Sequence, residues 1–321
     1  MINYSAQNLK GLNLMKASYL DEQGGPEVLK YGDLPDPIAG EGEVVVNIHS
    51  ASINGADWKV RAGHYSTLDK FPYILGRDFS GVVSQIGQGV NDFKKGDEVF
   101  GVCDVGQEGT YAEKIAIKAS IIALKPESIS HNAAATLSLI GLTALISIEE
   151  TLKLESGEKI LIQGGAGGVA SFAIQLAKNI GASVVTTSSS NNMNYLLDLG
   201  ADQVIDYNKY DFSEVVSDCD AVFETVGGDV ALRSFSVLKS GGRIAFIASG
   251  PKAPSSPRDD INSLRPLVNR DRRYMERIIS LFEAGVIRLP EITTYPLSEA
   301  VMAHKVSEGR HLRGKLVLEI K

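Results

Sequence analysis

The chain has 321 residues, of which 44% are hydrophobic and 22% are charged, a composition typical of a soluble globular protein with room for two domains. The formal net charge of -7 argues against nucleic-acid binding as the main function. No apolar run approaches the ~20 residues that span a bilayer, the N-terminus lacks a signal-peptide pattern, and two cysteines are too few for a disulfide framework. We therefore expect a cytoplasmic protein that has neither a membrane nor a nucleic acid as its partner.

The first part of the chain carries short strand patterns that are separated by glycine turns. We predict strands at residues 15–20, 43–53, 81–86, 97–101 and 109–117. Many short strands with glycine turns predict an antiparallel, barrel-like domain. A final run at residues 315–320 resembles these strands.

The hydrophobic period changes near position 131, where strands and helices begin to alternate. Residues 133–150 have a helical, mostly apolar pattern. Strand patterns follow at residues 160–162, 183–187, 203–207, 221–225 and 243–248. This succession predicts a doubly wound parallel sheet.

A glycine loop follows the first of these strands. Gly165-x-Gly167-x-x-Ala170 fits the dinucleotide-binding fingerprint, with a strand before it and a helix after it. We expect a tight turn at Gly165 and the approach of a pyrophosphate at Gly167, where the helix N-terminus stabilises negative charge. A tight turn without a ligand is the alternative. The cofactor-binding candidates in the loop are Gly165, Ala166, Gly167, Gly168 and Val169.

Several further motifs occur in a fixed order along the chain. They are Asn-Gly-Ala-Asp-Trp-Lys at 54–59, Gly-Arg-Asp-Phe-Ser-Gly at 76–81, Gly-Asp-Glu-Val-Phe-Gly at 96–101, Gly-Leu-Thr-Ala at 141–144, Leu-Gly-Ala-Asp at 199–202, Val-Ile-Asp-Tyr at 204–207, Gly-Gly-Arg at 241–243 and Arg-Gly-Lys-Leu-Val-Leu at 313–318. In this order the chain resembles the medium-chain dehydrogenase/reductase superfamily, in its zinc-free quinone oxidoreductase branch.

The resemblance implies an α/β protein with two domains. A GroES-like β-barrel catalytic domain would comprise residues 15–132 and 285–321, and a Rossmann NADP-binding domain would comprise residues 133–284. Residues 1–14 would be an N-terminal extension. The resemblance also implies an active site in the cleft between the two domains, and it allows a homodimer.

The resemblance further implies that no metal is bound. Zinc-dependent relatives carry a cysteine where Asn54 stands and a histidine where Arg77 stands, and they carry a cysteine-rich lobe that this chain lacks. A catalytic zinc needs three protein ligands and an open position.

The end of the second Rossmann strand bears on the choice of cofactor. NAD enzymes usually place an acid here, about 20 residues past the glycine loop, to bind the ribose 2′-hydroxyl. This chain has Ser188, Ser189 and Ser190 instead, which favours NADPH, although a solvated serine loop is the alternative. Family members often add a lysine after these serines, whereas this chain has Asn191 and Asn192, so no basic residue is expected locally.

Other cofactor contacts are implied by the resemblance alone. Tyr207 resembles a tyrosine beside the adenosine phosphate, and Thr143 resembles a helix threonine on the nicotinamide side. Thr225, Val226, Ala248 and Ser249 end strands at the same sheet edge. Arg313, Gly314 and Lys315 resemble a motif that closes over the nicotinamide; a solvated basic turn is the alternative for this motif.

The implied reaction is metal-free hydride transfer from NADPH to a small quinone, enone or alkenal. The product anion needs hydrogen-bond donors, and the candidates are Asn54, Lys59, Tyr65 and Arg77. A surface pair of Asp57 with Lys59 and a simple loop aromatic at Tyr65 are the alternatives. An enoyl-thioester reductase, and an NADPH-binding protein without turnover, remain as alternative functions.

Overall fold

The computed structural model describes residues 11–65, 67–249, 253–310 and 312–321, so most of the predicted extension lies outside the described residues. The chain divides into two units. The first comprises the described residues up to Leu139 together with Asn269–Arg277 and Glu291–Lys321, and the second comprises Ile140–Val268 and Ile278–Pro290. The first unit is built on mainly antiparallel sheets and the second on a parallel sheet, which confirms the predicted α/β fold class.

The elements of both units are numbered along the chain. The strands are β1 (Leu14–Leu20), β2 (Leu29–Pro35), β3 (Glu43–Ile53), β4 (Tyr73–Ile74), β5 (Asp78–Ile86), β6 (Glu98–Val102), β7 (Lys114–Lys118), β8 (Ile122–Leu124), β9 (Lys159–Ile162), β10 (Ser183–Ser188), β11 (Gln203–Asp206), β12 (Cys219–Glu224), β13 (Leu238–Phe246), β14 (Asn262–Leu264), β15 (Ile292–Pro296) and β16 (Lys315–Glu319). The helices are α1 (Gly55–Arg61), α2 (His131–Leu145), α3 (Gly168–Ile180), α4 (Met193–Asp198), α5 (Phe212–Val215), α6 (Asp229–Arg233), α7 (Arg272–Glu283) and α8 (Ala300–Glu308).

The first unit is organised around the long strand β3. Its apolar side chains are buried in the core, and it pairs antiparallel with β5, β7 and β16. In the pairing with β16, Leu316 lies opposite Ile53. The C-terminal strand therefore completes the sheet of the first unit, as the resemblance implied, and it brings Lys315 next to Asn54, the residue that follows β3.

The strand predicted at residues 109–117 is wrong in its first half, because the chain turns there. Gly109 has a left-handed φ of 139°, and its N–H donates to the carbonyl of Gly76 at 3.0 Å. Regular pairing with β3 begins only at Lys114. This turn places Glu108 beside Arg77, the residue that follows Gly76.

The second unit contains a six-stranded sheet in the order β11-β10-β9-β12-β13-β14, and the neighbouring strands are parallel. Numbered within the unit, this order is 3-2-1-4-5-6, which is typical of dinucleotide-binding folds. Leu161 on β9, Val222 on β12 and Ile244 on β13 are buried in one core cluster. In such a sheet the ligand crevice lies at the carboxyl ends of the central strands.

One helical segment, His131–Thr151, is long and apolar enough by length and composition to cross a membrane. The segment consists of α2 and a π-helical turn that follows it. Within its most apolar window 83% is buried inside the protein, as is usual for a core helix. Our expectation that no apolar stretch approaches this length overlooked the segment, because buried polar residues such as Thr136, Ser138 and Ser147 interrupt the apolar run.

Candidate functional site

The glycine loop joins β9 to α3 at the carboxyl edge of the parallel sheet. Gly164 has a left-handed φ of 68°, so the tight turn lies at Gly164 and not at Gly165 as predicted. The side chain and the carbonyl of Thr187 fix the loop: the N–H of Gly164 donates to Thr187 Oγ1 at 3.0 Å, and the N–H of Gly165 donates to Thr187 O at 2.9 Å. The loop is therefore held in place by the neighbouring strand β10.

Gly165 and Gly167 differ in the space that a side chain would have. A Cβ at Gly165 would lie 2.3 Å from Thr186 Oγ1, so this position is closed by packing inside the protein. A Cβ at Gly167 would meet only the carbonyl oxygen of Gly164, at 3.4 Å. Gly167 is the N-cap of α3, with a φ of -72° that any residue adopts. The space above Gly167 is thus a cradle next to the free amides of a helix N-terminus, where a pyrophosphate fits.

The ends of β12 and β13 flank this loop. Thr225 Oγ1 donates to the carbonyl of Gln163 at 2.7 Å. The N–H groups of Val226 and Gly227 both donate to Oε1 of Glu224 at 2.7 Å. Gly227 lies close to Ala248 at the end of β13, beside Ser249. Sequence reasoning placed Thr225, Val226, Ala248 and Ser249 at this edge and missed the buried residues that hold it, Gln163 and Glu224.

The three serines at the end of β10 differ in accessibility. Ser188 is buried, and its Oγ has no hydrogen-bond partner among the described residues. Ser189 is partly exposed and Ser190 is exposed, so these two can reach a ligand. Tyr207 is half-exposed, and its N–H donates to the carbonyl of Ser188 at 3.1 Å.

A basic residue also lies near this strand end, contrary to our expectation. Lys209 follows Tyr207 by two residues, and its Nζ is 3.5 Å from Asp206 Oδ2. No lysine directly follows the serines in the sequence. The parallel register of β10 with β11 sets Ser188 opposite Asp206, and Lys209 follows Asp206 by three residues. The remaining candidate of this unit, Thr143, is buried on α2.

In the first unit, Asn54 is enclosed in hydrogen bonds. Its Oδ1 accepts from Lys315 Nζ at 2.7 Å, and its Nδ2 donates to Asp78 Oδ1 at 3.0 Å and to Ser52 O at 3.3 Å. Both amide hydrogens are therefore committed inside the protein. This arrangement does not support Asn54 as a donor to a substrate anion.

Asp57 caps α1 and is fully buried, so the alternative of a surface pair with Lys59 is wrong. The N–H of Asn54 donates to Asp57 Oδ2 at 2.8 Å, and Tyr111 Oη donates to the same oxygen at 2.9 Å. His304 Nε2 lies 3.3 Å from Tyr111 Oη. The spacing Asn54-x-x-Asp57 is that of a helix cap and could have identified this carboxylate from the sequence.

Arg77 lies between two carboxyl groups. Its Nε donates to Glu108 Oε1 at 2.9 Å, and it is 3.7 Å from Asp57 Oδ1. Its side chain is one-quarter exposed, whereas that of Glu108 is 6% exposed. Arg77 is thus a cation that solvent can reach, anchored by buried acids, and it fits the predicted role of a donor to an anion.

Lys59 and Tyr65 lie close together. Lys59 Nζ is 5.6 Å from the centre of the Tyr65 ring and 5.8 Å from that of Trp58, within the range of cation–π contacts. Burial raises the pKa of the Tyr65 hydroxyl, with the Asp57 charge adding to this effect and the Arg77 charge opposing it. Tyr65 is therefore a neutral hydroxyl near Arg77.

The motif at 313–315 divides into an exposed and a buried part. Arg313 Nε donates to Glu291 Oε2 at 2.9 Å at the surface, as expected for a solvated basic turn. Gly314 has a left-handed φ of 85°, and a Cβ there would lie 2.1 Å from the Glu291 carbonyl oxygen. Lys315 is buried, so the solvated turn does not describe it.

Burial shifts the pKa values of the groups around Lys315. It lowers the pKa of Lys315, against the attraction of Asp78 and Asp57. It raises the pKa of Asp78 to about 6, although Lys315 opposes this shift. The described part of the chain holds no group of three or more His, Cys, Asp or Glu side chains placed to bind a metal ion.

Comparison with known proteins agrees with both units. The model of the family "Alcohol dehydrogenase GroES-like domain" matches residues 40–127, and that of "Zinc-binding dehydrogenase" matches residues 199–318. A 2-methylene-furan-3-one reductase from Solanum lycopersicum is 36% identical over an alignment of 320 positions, which covers 95% of this chain and 79% of the relative.

Two solved structures are similar over nearly the whole chain. The quinone oxidoreductase from Coxiella burnetii has a TM-score of 0.90 and 36% identity, and the match covers 96% of this chain and 100% of that one. The Escherichia coli quinone oxidoreductase complexed with NADPH has a TM-score of 0.87 and 28% identity, with 95% of this chain and 100% of that one covered.

Proposed function

We propose that this chain, which belongs to the zinc-free quinone oxidoreductase branch of the medium-chain dehydrogenase/reductase superfamily, is an NADPH-dependent reductase of small quinones or activated alkenes. The observation that carries this proposal is the open cradle above Gly167. It lies at the N-terminus of α3 and at the carboxyl edge of a sheet with the 3-2-1-4-5-6 order. Backbone amides there would hold the pyrophosphate of a dinucleotide.

The choice of NADPH over NADH rests on the end of β10. Ser189 and Ser190 can donate hydrogen bonds to a 2′-phosphate, and the acid that would repel this phosphate is missing at the position. Lys209 adds a positive charge near the end of β11. The NADPH bound to the Escherichia coli relative is in keeping with this choice.

The substrate class follows from the donors of the first unit. When bound, NADPH supplies a hydride to an electron-poor carbon. Arg77 and Tyr65 would donate hydrogen bonds to the oxygen anion of a reduced quinone or enone, and Lys59 would add positive charge. The tomato relative is named as the reductase of such an enone, and the two structural relatives are named for quinones.

We further propose that the reaction proceeds without zinc, because the donor set does not fit this metal. The Asn54 amide is committed to Lys315 and Asp78, and the Arg77 guanidinium has no lone pair that could coordinate a cation. A buried ammonium next to Asn54 would also repel Zn²⁺.

Stopped-flow oxidation of NADPH tests the proposal with 1,4-benzoquinone, crotonaldehyde and crotonyl-CoA as acceptors. We expect turnover with the first two acceptors and little with the thioester. Fast turnover of crotonyl-CoA alone would favour an enoyl-thioester reductase. Tight NADPH binding without oxidation by any acceptor would show a binding protein and overturn the proposed reaction.

A further inference from the structure

Three buried acids, Asp57, Asp78 and Glu108, lie close to two cations, Arg77 and Lys315, beside α1 and β5. Two other buried or partly buried arginines are bonded elsewhere: Arg61 pairs with Glu308, and Arg270 donates to the carbonyl of Cys103. Lys315 and Asp78 form one balanced pair through Asn54, because Lys315 donates to Asn54 Oδ1 while Asn54 Nδ2 donates to Asp78. Ser52 Oγ also donates to Asp78, at 2.8 Å. This part of the cluster has one positive and one negative charge at neutral pH, above the pKa of about 6 of Asp78.

The second part of the cluster is not balanced. Arg77 is a single cation shared by Asp57 and Glu108, which lie 3.7 Å and 2.8 Å from its nitrogens. Oδ1 of Asp57 and Oε2 of Glu108 are both buried without a hydrogen-bond partner among the described residues. Two buried carboxylates on one guanidinium leave an uncompensated negative charge, and a protein avoids this cost by keeping a proton on one of them.

The backbone fixes this arrangement. Gly76, just before Arg77, has a left-handed φ of 95°, and a Cβ there would lie 2.2 Å from Thr110 Oγ1. The N–H of Gly109 donates to the Gly76 carbonyl, so the segments that carry Arg77 and Glu108 are tied side by side. Turning the Glu108 carboxyl to solvent would break its hydrogen bond with Arg77 Nε.

We propose that Glu108 holds the proton that the reduction consumes. This proposal rests on the proposed function, in which addition of a hydride to the substrate would convert it to an oxygen anion. The O–H bond of Glu108 breaks, a new O–H bond forms on the substrate anion, either directly or through a neighbouring hydroxyl, and the electron pair stays on the carboxylate. Arg77 stabilises that carboxylate, and solvent then returns the proton.

Glu108 is better suited than Asp57 to release the proton. Burial raises the pKa of Asp57 too, but the Arg77 charge and the donors Asn54 N–H and Tyr111 Oη oppose this shift and stabilise the ionised form. Besides Arg77, the charged and titratable groups near Glu108 include Asp57, Tyr73, Tyr111 and Cys103. Cys103 lies nearby, and Arg270 donates to its carbonyl at 2.7 Å.

The pKa values agree with this assignment. Burial raises the pKa of Glu108 to about 7, with repulsion by Asp57 adding to the shift and attraction by Arg77 opposing it. Burial also raises the pKa of the Tyr73 hydroxyl to about 12, so Tyr73 stays protonated at neutral pH. Tyr73 is therefore a neutral hydroxyl next to the carboxyl and can pass a proton on.

Infrared difference spectroscopy of the protein without cofactor or substrate tests whether the Glu108 carboxyl carries a proton. Spectra recorded across pH 5 to 9 should show the carbonyl stretch of a protonated carboxyl that disappears near neutral pH. The component that titrates near pH 7 should be missing from Glu108→Gln and unchanged in Glu127→Gln, an exposed acid of the same unit, whereas a component from Asp78, with a pKa of about 6, should remain in both. Persistence of the component near pH 7 in Glu108→Gln would assign the proton elsewhere and overturn the proposal.

A second variant keeps the test open if Glu108→Gln does not fold. Arg77→Lys keeps the charge and loses the forked contact, so the band of Glu108 should titrate at a higher pH. An unchanged titration would overturn the proposal. Because neither spectrum involves NADPH or an acceptor, failure of this proposal is distinguishable from failure of the proposed function.

The pH dependence of kcat with benzoquinone tests whether the proton is used. For the wild type we expect kcat to fall as pH rises through about 7, where Glu108 loses its proton. In Glu108→Gln, kcat should be about 100-fold lower and nearly independent of pH. Wild-type kcat in this variant, or an unchanged pH profile, would overturn the role of Glu108 as the proton store.

Discussion

Lys315 and Asn54, which are 261 residues apart in the sequence, are joined by a buried hydrogen bond of 2.7 Å from Nζ to Oδ1. Lys315 Nζ also donates to the carbonyl of Ile53 at 2.8 Å. This contact fixes the orientation of the Asn54 amide, because Oδ1 must face the ammonium and Nδ2 must face Asp78. Asn54, which stands where zinc-dependent relatives have a metal ligand, is thus held in a buried network of hydrogen bonds with Lys315 and Asp78.

Removing the Lys315 ammonium should destabilise the protein strongly. In Lys315→Met, Asn54 Oδ1 loses its donor and Asp78 loses its balancing charge, a loss that typically costs about 3 kcal/mol or more for a buried pair. Urea denaturation should show this decrease in the free energy of unfolding. Lys305→Met, at an exposed position of α8, should change it by less than about 0.5 kcal/mol. Equal stabilities of the two variants would contradict the buried network.

Substitution of Gly167 should affect NADPH binding, whereas substitution of Gly165 should affect the stability of the fold. Asp at Gly167 meets open space and is a favourable N-cap residue, so Gly167→Asp should keep its melting temperature and lose NADPH binding through charge repulsion. Gly165→Ala should lower the free energy of unfolding by about 1–3 kcal/mol, because its Cβ meets Thr186 Oγ1, which is bonded to the Ile162 carbonyl.

Thermal melting and fluorescence titration with NADPH separate these two effects. If Gly167→Asp retains the NADPH affinity of the wild type, the pyrophosphate does not lie at this glycine. If Gly165→Ala is as stable as the wild type, the loop can move away from β10 more easily than its hydrogen bonds to Thr187 suggest.

Cofactor preference should depend on the exposed serine at the end of β10. In Ser190→Asp, a new carboxylate would repel the 2′-phosphate, so we expect the Kd for NADPH to rise about tenfold and the Kd for NADH to stay similar or fall. Isothermal titration with both cofactors measures this change. Ser183→Asp, at the opposite end of the same strand, serves as the control. A parallel loss of affinity for both cofactors would argue against a phosphate at Ser190.

His304 should make the protein sensitive to acid. Burial lowers its pKa to about 3, and the nearby Arg61 charge adds to this shift, so the folded protein holds the ring neutral. The unfolded chain takes up this proton near pH 6.5, so the stabilising contribution is complete above pH 6.5 and is lost as pH falls toward about 3. Within this window the free energy of unfolding should fall by up to about 1.4 kcal/mol per pH unit from this one group.

Urea denaturation of His304→Phe at pH 7 and pH 4.5 isolates that contribution, because the other titrating groups cancel when the variant is subtracted from the wild type. The stability advantage of the wild type should shrink at the lower pH. If the free energy of unfolding of wild type and of His304→Phe changed equally between pH 7 and pH 4.5, folding would not lower the pKa of His304.

Local sequence signals predicted the strands and helices that carry the site, but they missed β2, β14 and β15 and the turn at Gly109. Alternating apolar residues placed β3, and the apolar run before the glycine loop placed β9, because burial of a strand or helix face leaves a period in the chain itself. The alternation of strands and helices predicted the parallel sheet, and the ordered motifs predicted the family. The fingerprint at Gly165 and Gly167 and the serines at the end of β10 needed no contact information either.

Only the tertiary structure decided which polar side chains meet. Register between β3 and β16 buries Lys315 against Asn54, and the turn at Gly109 sets Glu108 beside Arg77, although 31 residues separate them. Packing also buries Ser188 and leaves Ser190 exposed, although the two look alike in the sequence. The charge and proton affinity of a polar side chain depend on its distant neighbours and on its exclusion from water, and neither property leaves a period along the chain.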